Sequence, residues 1–337
     1  MKKLRGISLI LSLAVILSTF NFSAYAEENT ITAYITISMY GEIVKDKNGD
    51  YLAEKPVTLS GKESYNLDDA FYEAHELYYE GGAEAGYASE LYTSSWGSSL
   101  SITKAWGDTS TKFGYQMNLG DTSVMGLEQT LSDGDYIDLC IYENYYPDTE
   151  SYSKFDAYKK DLDGDTTELT LYESYYGPKW ETLFRPCVGA EITIDGKLTG
   201  ILTDENGKCT ITFDKAGENL VSAKKTKVLV DEVEETESIV TAITAPVCVV
   251  TAKMLISVDA RYVLNIEVED DIDVENAKMI VAGYRDNQLI DIATDIIWSQ
   301  NTATVYLNKR ATDIKLFLWK TVEGQEPLVN RKIINLK

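Results

Sequence analysis

Histidine is almost absent from this sequence, which excludes the catalytic patterns that depend on it. His75 is the only histidine in 337 residues. The HExxH pattern of zinc proteases needs two histidines, and a catalytic triad needs a nucleophile motif that is also missing. The sequence carries no phosphate-binding glycine loop and no cluster of metal ligands. We therefore expect a protein that is not an enzyme and has no cofactor or bound metal.

Cysteine is scarce and lacks paired spacing. The four cysteines, Cys140, Cys187, Cys209 and Cys248, are spread over more than a hundred residues and form no CxxC pair. Cys209 and Cys248 lie in strand-like runs, where a free cysteine behaves as a small buried hydrophobe. An oxidising compartment permits disulfides, so one bridge among Cys187, Cys209 and Cys248 remains open.

Long apolar runs are missing after the N-terminus. Lys2, Lys3 and Arg5 precede the run ISLILSLAVIL, and AYA at 24–26 is a small-x-small cleavage pattern. The run is short for a membrane span, and no second apolar segment of about 20 residues follows it. These features predict a signal peptide over residues 1–26, a secreted or extracellular product that can associate with the cell surface, and no membrane span after cleavage.

Basic residues are outnumbered. The leader carries three of the 31 basic residues and none of the 54 acidic ones, so the exported chain has 28 against 54, a formal charge of −26. Such a charge repels nucleic acid and anionic lipid, which excludes both as partners. It is also typical of a protein kept soluble outside the cell.

What the sequence has in abundance is alternation at period two. ITAYITISMY places Ile31, Ala33 and Ile35 on one face, and DYIDLCIY repeats the pattern. Asn-Gly and Asp-Gly pairs recur between such runs, and they tolerate the positive φ angles of tight hairpins. The predicted fold class is mainly β.

One helix interrupts the strands. Asn66 can cap it, Asp68 and Asp69 suit its first turn, and Gly81-Gly82 ends it. Its predicted apolar stripe consists of Leu67, Ala70, Phe71, Ala74, Leu77 and Tyr78. His75 falls at the border of this stripe, so we expect its ring to serve in packing.

The order of elements predicts a β-grasp at the N-terminus. Strands at about 30–44 and 51–60 precede the helix, and strands at 99–107, 113–118 and 133–142 follow it. In a β-grasp the helix crosses one face of the sheet and the other face stays open. A domain over residues 27–145 follows from this order.

About residues 30–145 resemble the transcobalamin-like C-terminal domain family of secreted Gram-positive bacterial proteins. The resemblance rests on LDDAFYEAHELYYEGG, ITKAWG, FGYQMN and LSDGDYI. The family's aromatic-plus-asparagine strand and Gly-Asp strand entrance correspond to Gly114, Tyr115 and Asn118, then Gly134 and Asp135. The resemblance implies a β-grasp fold. In transcobalamin the module covers a corrinoid, which gives cobalamin binding as one alternative function.

A polar, tyrosine-rich linker is predicted at 146–167. Residues 168–254 resemble extracellular sandwich modules of immunoglobulin-like or prealbumin-like fold, through TDENGKCTITF and KAGENLVSA. Residues 255–337, with AKMIVAGY, ATVYL and IKLFLW, are predicted to form a third, small β-sandwich-like module. The complete prediction is a β-grasp followed by two β-sandwich-like modules.

The segment DLDGDTTE, with Asp161, Asp163 and Asp165, invites comparison with a calcium loop. An EF-hand has Gly at position six and a carboxylate at position twelve. Here Gly164 is fourth and Tyr172 is twelfth. A solvated turn is therefore favoured, and calcium binding at 161–165 remains open.

Tyrosine is unusually frequent, and nineteen of the 23 tyrosines lie between residues 34 and 176. Such rings suit half-buried sheet surfaces, and they also form recognition surfaces. The candidate ligand-binding residues are Tyr78, Tyr79, Tyr87, Tyr92, Trp96, Trp106, Tyr115 and Asn118. They predict a binding or structural protein whose partner is cell-wall glycan, peptide or another surface protein. A secreted carbohydrate-active enzyme is the other alternative, since so many carboxylates always include a pair at hydrolase spacing.

Overall fold

The computed structural model describes residues 29–95, 97–109, 114–120, 122–142, 150–179, 181–231, 236–258, 263–294, 296–307, 310–320 and 327–335. The predicted signal peptide lies outside these residues. The described chain is mainly β, as the sequence predicted. Three hydrophobic cores divide it into a first unit (29–142), a second unit (150–253) and a third unit (254–335). Neither helix in the described residues has the length and apolar character needed to span a membrane.

The first unit is a mixed sheet with a helix on one face. Its elements are β1 (Asn29–Met39), β2 (Glu42–Ile43), β3 (Lys55–Lys62), α1 (Leu67–Tyr78), α2 (Gly82–Gly86), β4 (Ala88–Ser94), β5 (Gly97–Lys104), β6 (Gly114–Leu119), β7 (Thr122–Val124) and β8 (Tyr136–Tyr142). β1 pairs with β2 and β3 on one side and runs parallel to β8 on the other. β6 and β7 complete the sheet beyond β8, while β4 and β5 form a separate two-stranded ribbon.

The predicted helix is confirmed as α1. Asn66 and Asp69 form a capping box: the Asn66 side chain accepts from the Asp69 N–H, and Asp69 accepts from the Asn66 N–H. Its buried face consists of Leu67, Ala70, Phe71, Ala74 and His75. This face shares one core with the odd-numbered residues of β1 from Ile31 to Ile37.

The apolar stripe was wrong at one position, Leu77, which is exposed whereas His75 is fully buried. The two residues lie about 80° to either side of the centre of the buried face, so helical periodicity ranks them equally. The chain after α1 turns back through α2 and covers the His75 side. The covering segment therefore decides which border residue is buried.

The second unit has two sheets around one core. Its strands are β9 (Ser153–Phe155), β10 (Lys159–Leu162), β11 (Thr166–Tyr176), β12 (Thr182–Pro186), β13 (Glu191–Ile194), β14 (Lys197–Leu202), β15 (Lys208–Thr212), β16 (Gly217–Lys224), β17 (Thr226–Asp231), β18 (Thr236–Thr241) and β19 (Cys248–Ala252). One sheet has the order β10-β19-β16-β13-β14, and the other has β12-β11-β15 with β9 also on β11. β17 and β18 form a ribbon of their own.

Part of the segment expected to be a linker belongs to this unit. β9 and β10 both lie within residues 146–167, and β10 pairs in parallel with β19, about 90 residues later. β10 is an edge strand of polar sequence, and only Leu162 in it is buried. Because the pairing is long-range and the strand polar, local sequence gives no strand signal there.

The third unit also consists of two sheets around one core. Its strands are β20 (Met254–Val258), β21 (Val263–Val268), β22 (Lys278–Arg285), β23 (Gln288–Ala293), β24 (Trp298–Ser299), β25 (Thr302–Tyr306), β26 (Asp313–Trp319) and β27 (Pro327–Asn335). Their orders are β20-β21-β25-β24 and β23-β22-β26-β27. The alternating runs AKMIVAGY, ATVYL and IKLFLW coincide with β22, β25 and β26.

Candidate functional site

His75 is a packing residue, as the sequence indicated. It is fully buried; Nδ1 lies 2.6 Å from the Phe71 carbonyl oxygen, and Nε2 lies 3.0 Å from the Trp106 backbone nitrogen. Because the Trp106 N–H can only donate, Nε2 accepts and the proton sits on Nδ1, which donates to Phe71. Burial lowers the pKa of His75 to about 4. The hydrogen bond to Phe71 raises this pKa and the charge of Lys104 lowers it, and both effects are smaller than that of burial. The ring is neutral and both of its nitrogens are engaged, so it has no free nitrogen for general-base chemistry.

Three of the predicted ligand-binding residues form the wall around this histidine. The Tyr87 and Trp106 ring centroids lie 5.0 and 5.2 Å from that of His75, and Tyr79 packs edge-on against Trp106. The Tyr87 hydroxyl donates to Asp68 Oδ1 at 2.9 Å. Burial, followed by the charge of Asp68, raises the Tyr87 pKa well above its usual value. These contacts explain the three rings as structural packing.

The remaining aromatic candidates are dispersed. The Tyr78 hydroxyl donates to the Pro56 carbonyl oxygen at 2.7 Å, and the Tyr115 hydroxyl accepts from the Ile102 N–H at 3.3 Å. Tyr92 lies on the β4–β5 ribbon with 66% of its surface exposed. Trp96 lies outside the described residues. The seven predicted residues that the structure describes therefore do not share one surface.

Asn118 overturns the expectation of an open sheet face. It lies on the face of β6 turned away from α1, yet only 1% of it is exposed. On the same face, Asp138 Oδ2 accepts from the Tyr152 hydroxyl of the second unit at 2.5 Å. The second unit therefore covers this face. The alternation of polar residues on β6 and β8 suits solvent exposure, but here it supplies a hydrogen-bonded contact between two units.

We call this contact between the first and second units the joint. Tyr136 of β8 stacks on Tyr158 with centroids 4.6 Å apart, and it also stacks on Tyr34. Lys159 Nζ lies 4.5 Å above the Tyr34 ring centre. An apolar cluster at its rim consists of Ile43, Ala245 and Val247, with Tyr51, Ala53, Leu220 and Val249 packed against it. Glu42 and Lys224 form an ion pair across the same boundary.

Glu54 is the most unusual group in the joint, and sequence reasoning missed it. Its side chain is 1% exposed, and neither carboxyl oxygen has a hydrogen-bond partner in the described part of the chain. Lys159 Nζ lies 3.9 Å from Oε2, which is the outer limit of an ion pair. Burial raises the Glu54 pKa to about 8; Lys159 opposes the increase, and Asp138 and Glu218 add to it. A carboxyl of raised pKa is typical of a general acid, but substrate cannot reach one that is this deeply buried.

Three of the exposed large apolar residues of the first unit lie on or beside the β4–β5 ribbon, while Tyr40, Tyr72 and Leu77 lie elsewhere. We call Leu91, Tyr92 and Met125 the ribbon patch; they are 66%, 66% and 93% exposed. Met125 belongs here because the adjoining Gly126 lies beside Ser99 of β5, and the Leu100 N–H donates to Glu128. Tyr92 was predicted. Leu91 was not, because a period-two pattern does not distinguish a ribbon exposed on both faces from a sheet strand. Met125 was not predicted either, and it follows β7 in a segment without periodic pattern.

The acidic loop and one open groove offer no metal centre in the described residues. Asp161 lies within β10 and pairs with Lys253 at 3.2 Å. The groove has a volume of about 590 Å³ and is lined by Glu269, Asp271 and Asp273 together with Lys253 and Lys320. No group of three or more histidine, cysteine, aspartate or glutamate side chains within the described ranges is placed to hold a metal ion.

No family model matches the chain, and no curated protein matches it significantly. Among solved structures, the major pilin subunit BcpA of Bacillus cereus aligns over 92% of this chain and 96% of its own, with 9% identity and a TM-score of 0.19. The FN1–FN3 domains of chicken CNTN1 align over 75% and 98%, with 8% identity and a TM-score of 0.18. Extracellular domains 3–5 of Drosophila OTK align over 93% and 97%, with 11% identity and a TM-score of 0.15. Because these TM-scores are so low, the assignment of the fold rests on the strands and cores of this chain alone.

Proposed function

We propose that this chain is an exported, non-catalytic protein of the cell surface that binds a protein or peptide partner through the ribbon patch. In this proposal an N-terminal β-grasp unit carries the patch, and two sandwich-like units extend it from its point of attachment. The parallel β1–β8 pair at the centre of the first sheet and α1 across one face support the β-grasp assignment. The basic start, apolar run and AYA site of the leader support export.

The observation that carries the proposal is the exposure of the ribbon patch. Three large apolar side chains are exposed on and beside one ribbon, with Leu91 and Tyr92 on its opposite faces, and β4 pairs only with β5 among the described strands. Aromatic residues and Met are enriched where proteins meet, and an unpaired strand edge offers backbone groups to an added strand. Met125 and Leu91 pack better against an apolar side chain of a partner than against a sugar ring. This favours a protein or peptide over a glycan as the partner.

The charge of the chain further restricts the class of partner. A formal charge of −26 on the exported chain repels acidic polymers and favours a partner with basic residues around its apolar contact. We therefore expect a basic extracellular protein segment that adds to the free edge of β4 and covers Tyr92.

The test compares three immobilised forms of residues 27–337: the wild type, Tyr92→Thr and Tyr306→Thr. Each form is presented with basic peptides of alternating pattern, with the extracellular proteins of the producing cell and with wall saccharides. Tyr92→Thr keeps strand propensity and removes the ring. Tyr306→Thr is the matched control, since Tyr306 is an exposed strand tyrosine of the third unit. We expect at least tenfold weaker peptide or protein binding for Tyr92→Thr and no change for Tyr306→Thr. Retention of saccharides alone, or equal retention by all three forms, would contradict the proposal.

A further inference from the structure

We propose that Glu54 makes the joint a pH-sensitive contact, which holds the first and second units together in mildly acidic surroundings and loosens as the surroundings become alkaline. This goes beyond the proposed binding function, because it concerns how two units of the chain are held relative to each other. It does not depend on the ribbon patch or on any partner.

The position of Glu54 places its charge inside the contact. Residues 51–54 cross the joint: Tyr51 and Ala53 pack on the apolar rim, while the Glu54 N–H donates to Thr36 Oγ1 at 3.1 Å. The backbone of Glu54 is left-handed, with φ of 49°, a conformation that is uncommon for a residue with a side chain. The segment therefore holds this carboxyl against the second unit rather than letting it turn to solvent.

The groups that face Glu54 come from four strands, and the two anions among them, Asp138 and Glu218, oppose its ionisation. Among the residues that the structure describes, the cation that acts on it is Lys159 of β10, 3.9 Å away and itself about half exposed. The others that interact with it electrostatically are Asp138 and Tyr136 of β8, Glu218 of β16 and Cys248 of β19. Burying an ionised carboxylate without hydrogen bonds is strongly unfavourable, and one distant ammonium group offsets only part of that cost.

The sign of the effect follows from where the proton is bound more tightly. With the units docked, the pKa of Glu54 is about 8; with the units apart, its side chain meets water and returns towards 4.5. The docked state therefore binds a proton that the open state releases. Docking is strongest below about pH 4.5 and weakens by up to tenfold per pH unit until the docked carboxyl ionises near pH 8.

His75 and the tyrosines and cysteine at the joint keep their protonation states between pH 6.5 and 8. His75 stays neutral above pH 6.5, since burial lowers its pKa. Burial raises the pKa of Tyr136, Tyr152 and Cys140, so these groups at the joint stay protonated. A change between pH 6.5 and 8 at the joint therefore belongs to Glu54.

The experiment is hydrogen exchange of the exported chain, residues 27–337, from pH 6.5 to 9.5, corrected for the intrinsic pH dependence of exchange. Protection of the segments 50–56 and 150–160 reports the joint, and β22 and β26 report global unfolding. We expect joint protection to fall about tenfold or more by pH 8 and then to level off. In Glu54→Gln it stays constant, while Glu42→Gln, which removes an exposed ion pair across the same boundary, keeps the wild-type profile.

Lys159→Gln keeps the proposal testable should Glu54→Gln not fold. Removal of the ammonium group raises the Glu54 pKa further, so joint protection continues to fall above pH 8.5, where the wild type has levelled off. Flat wild-type protection would overturn the proposal. An unchanged pH dependence in Glu54→Gln, or a Lys159→Gln profile identical to the wild type, would also overturn it.

Discussion

Each ring nitrogen of His75 bonds to a different segment of the first unit. Nδ1 donates within α1 to Phe71, whereas Nε2 accepts from the Trp106 backbone after β5. A neutral imidazole has one donor and one acceptor, which matches these two positions. At the scale of a single residue, this histidine therefore ties the end of the β4–β5 ribbon to the helix.

Acidification should weaken the fold through this residue. The pKa of His75 is about 4 in the folded chain and near 6.5 when unfolded. The unfolded state binds the extra proton between these values, so the contribution of His75 to the free energy of unfolding falls by roughly 3 kcal/mol as pH drops from 6.5 to 4, while Glu54 contributes in the opposite direction down to about pH 4.5. Because the chain has one histidine, its imidazole proton signal in NMR of an untagged chain reports the pKa directly. A midpoint between pH 6 and 7 in the folded protein would contradict this account.

At the scale of an element, the packing of α2 against the end of α1 depends on a missing side chain. A Cβ atom on Gly86 would lie 2.5 Å from the Tyr79 ring and 3.0 Å from the His75 ring. Both rings are held by the Trp106 cluster, so neither can move away easily. Glycine is needed here for close approach of two segments, and not for a special backbone angle.

Gly86→Ala should therefore destabilise the chain although alanine favours helix. Overpacking of this kind costs about 1–3 kcal/mol, which exceeds the roughly 1 kcal/mol that alanine gains over glycine in a helix. Chemical denaturation monitored by tryptophan fluorescence measures the difference. Gly164→Ala is the control, because a Cβ atom there meets nothing closer than 3.9 Å. Equal stability of the two variants would show that the rings rearrange freely.

Local elements could be predicted from the sequence, and their long-range contacts could not. The cap at Asn66, the acidic first turn and the glycines after α1 lie within one continuous segment, so the helix could be predicted. The joint depends on the contacts of Asp138 with Tyr152 and of Glu54 with Lys159, which join residues of two different units. A polar face that packs on another unit has the same alternating pattern as one that faces water, which is why the covered sheet face and β10 were missed.

At the scale of the whole molecule, the four cysteines act as apolar core residues. All four are free and buried, and Cys187, Cys209 and Cys248 belong to the core of the second unit. Burial raises the pKa of Cys209 to about 11 and those of Cys187 and Cys248 to about 12, and it also raises that of Cys140. Because thiolate is the reactive form, an oxidising environment alone does not make these thiols reactive.

We therefore expect the folded chain to protect all four thiols. With Ellman's reagent at pH 8, reaction should take hours in buffer and minutes in denaturant, where four thiols per chain should be counted without added reductant. Two thiols per chain in denaturant would indicate a disulfide. Fast reaction in buffer would instead place at least one cysteine at the surface.

The parallel pairing of β1 with β8 has a mechanical consequence. β1 begins the described chain at Asn29, and the chain leaves the sheet of the first unit after Tyr142 at the end of β8. Tension between these two points pulls adjacent strands along their own axes in opposite directions. Their hydrogen bonds must then break together in shear rather than one after another, so the first unit is built to resist stretching between its ends.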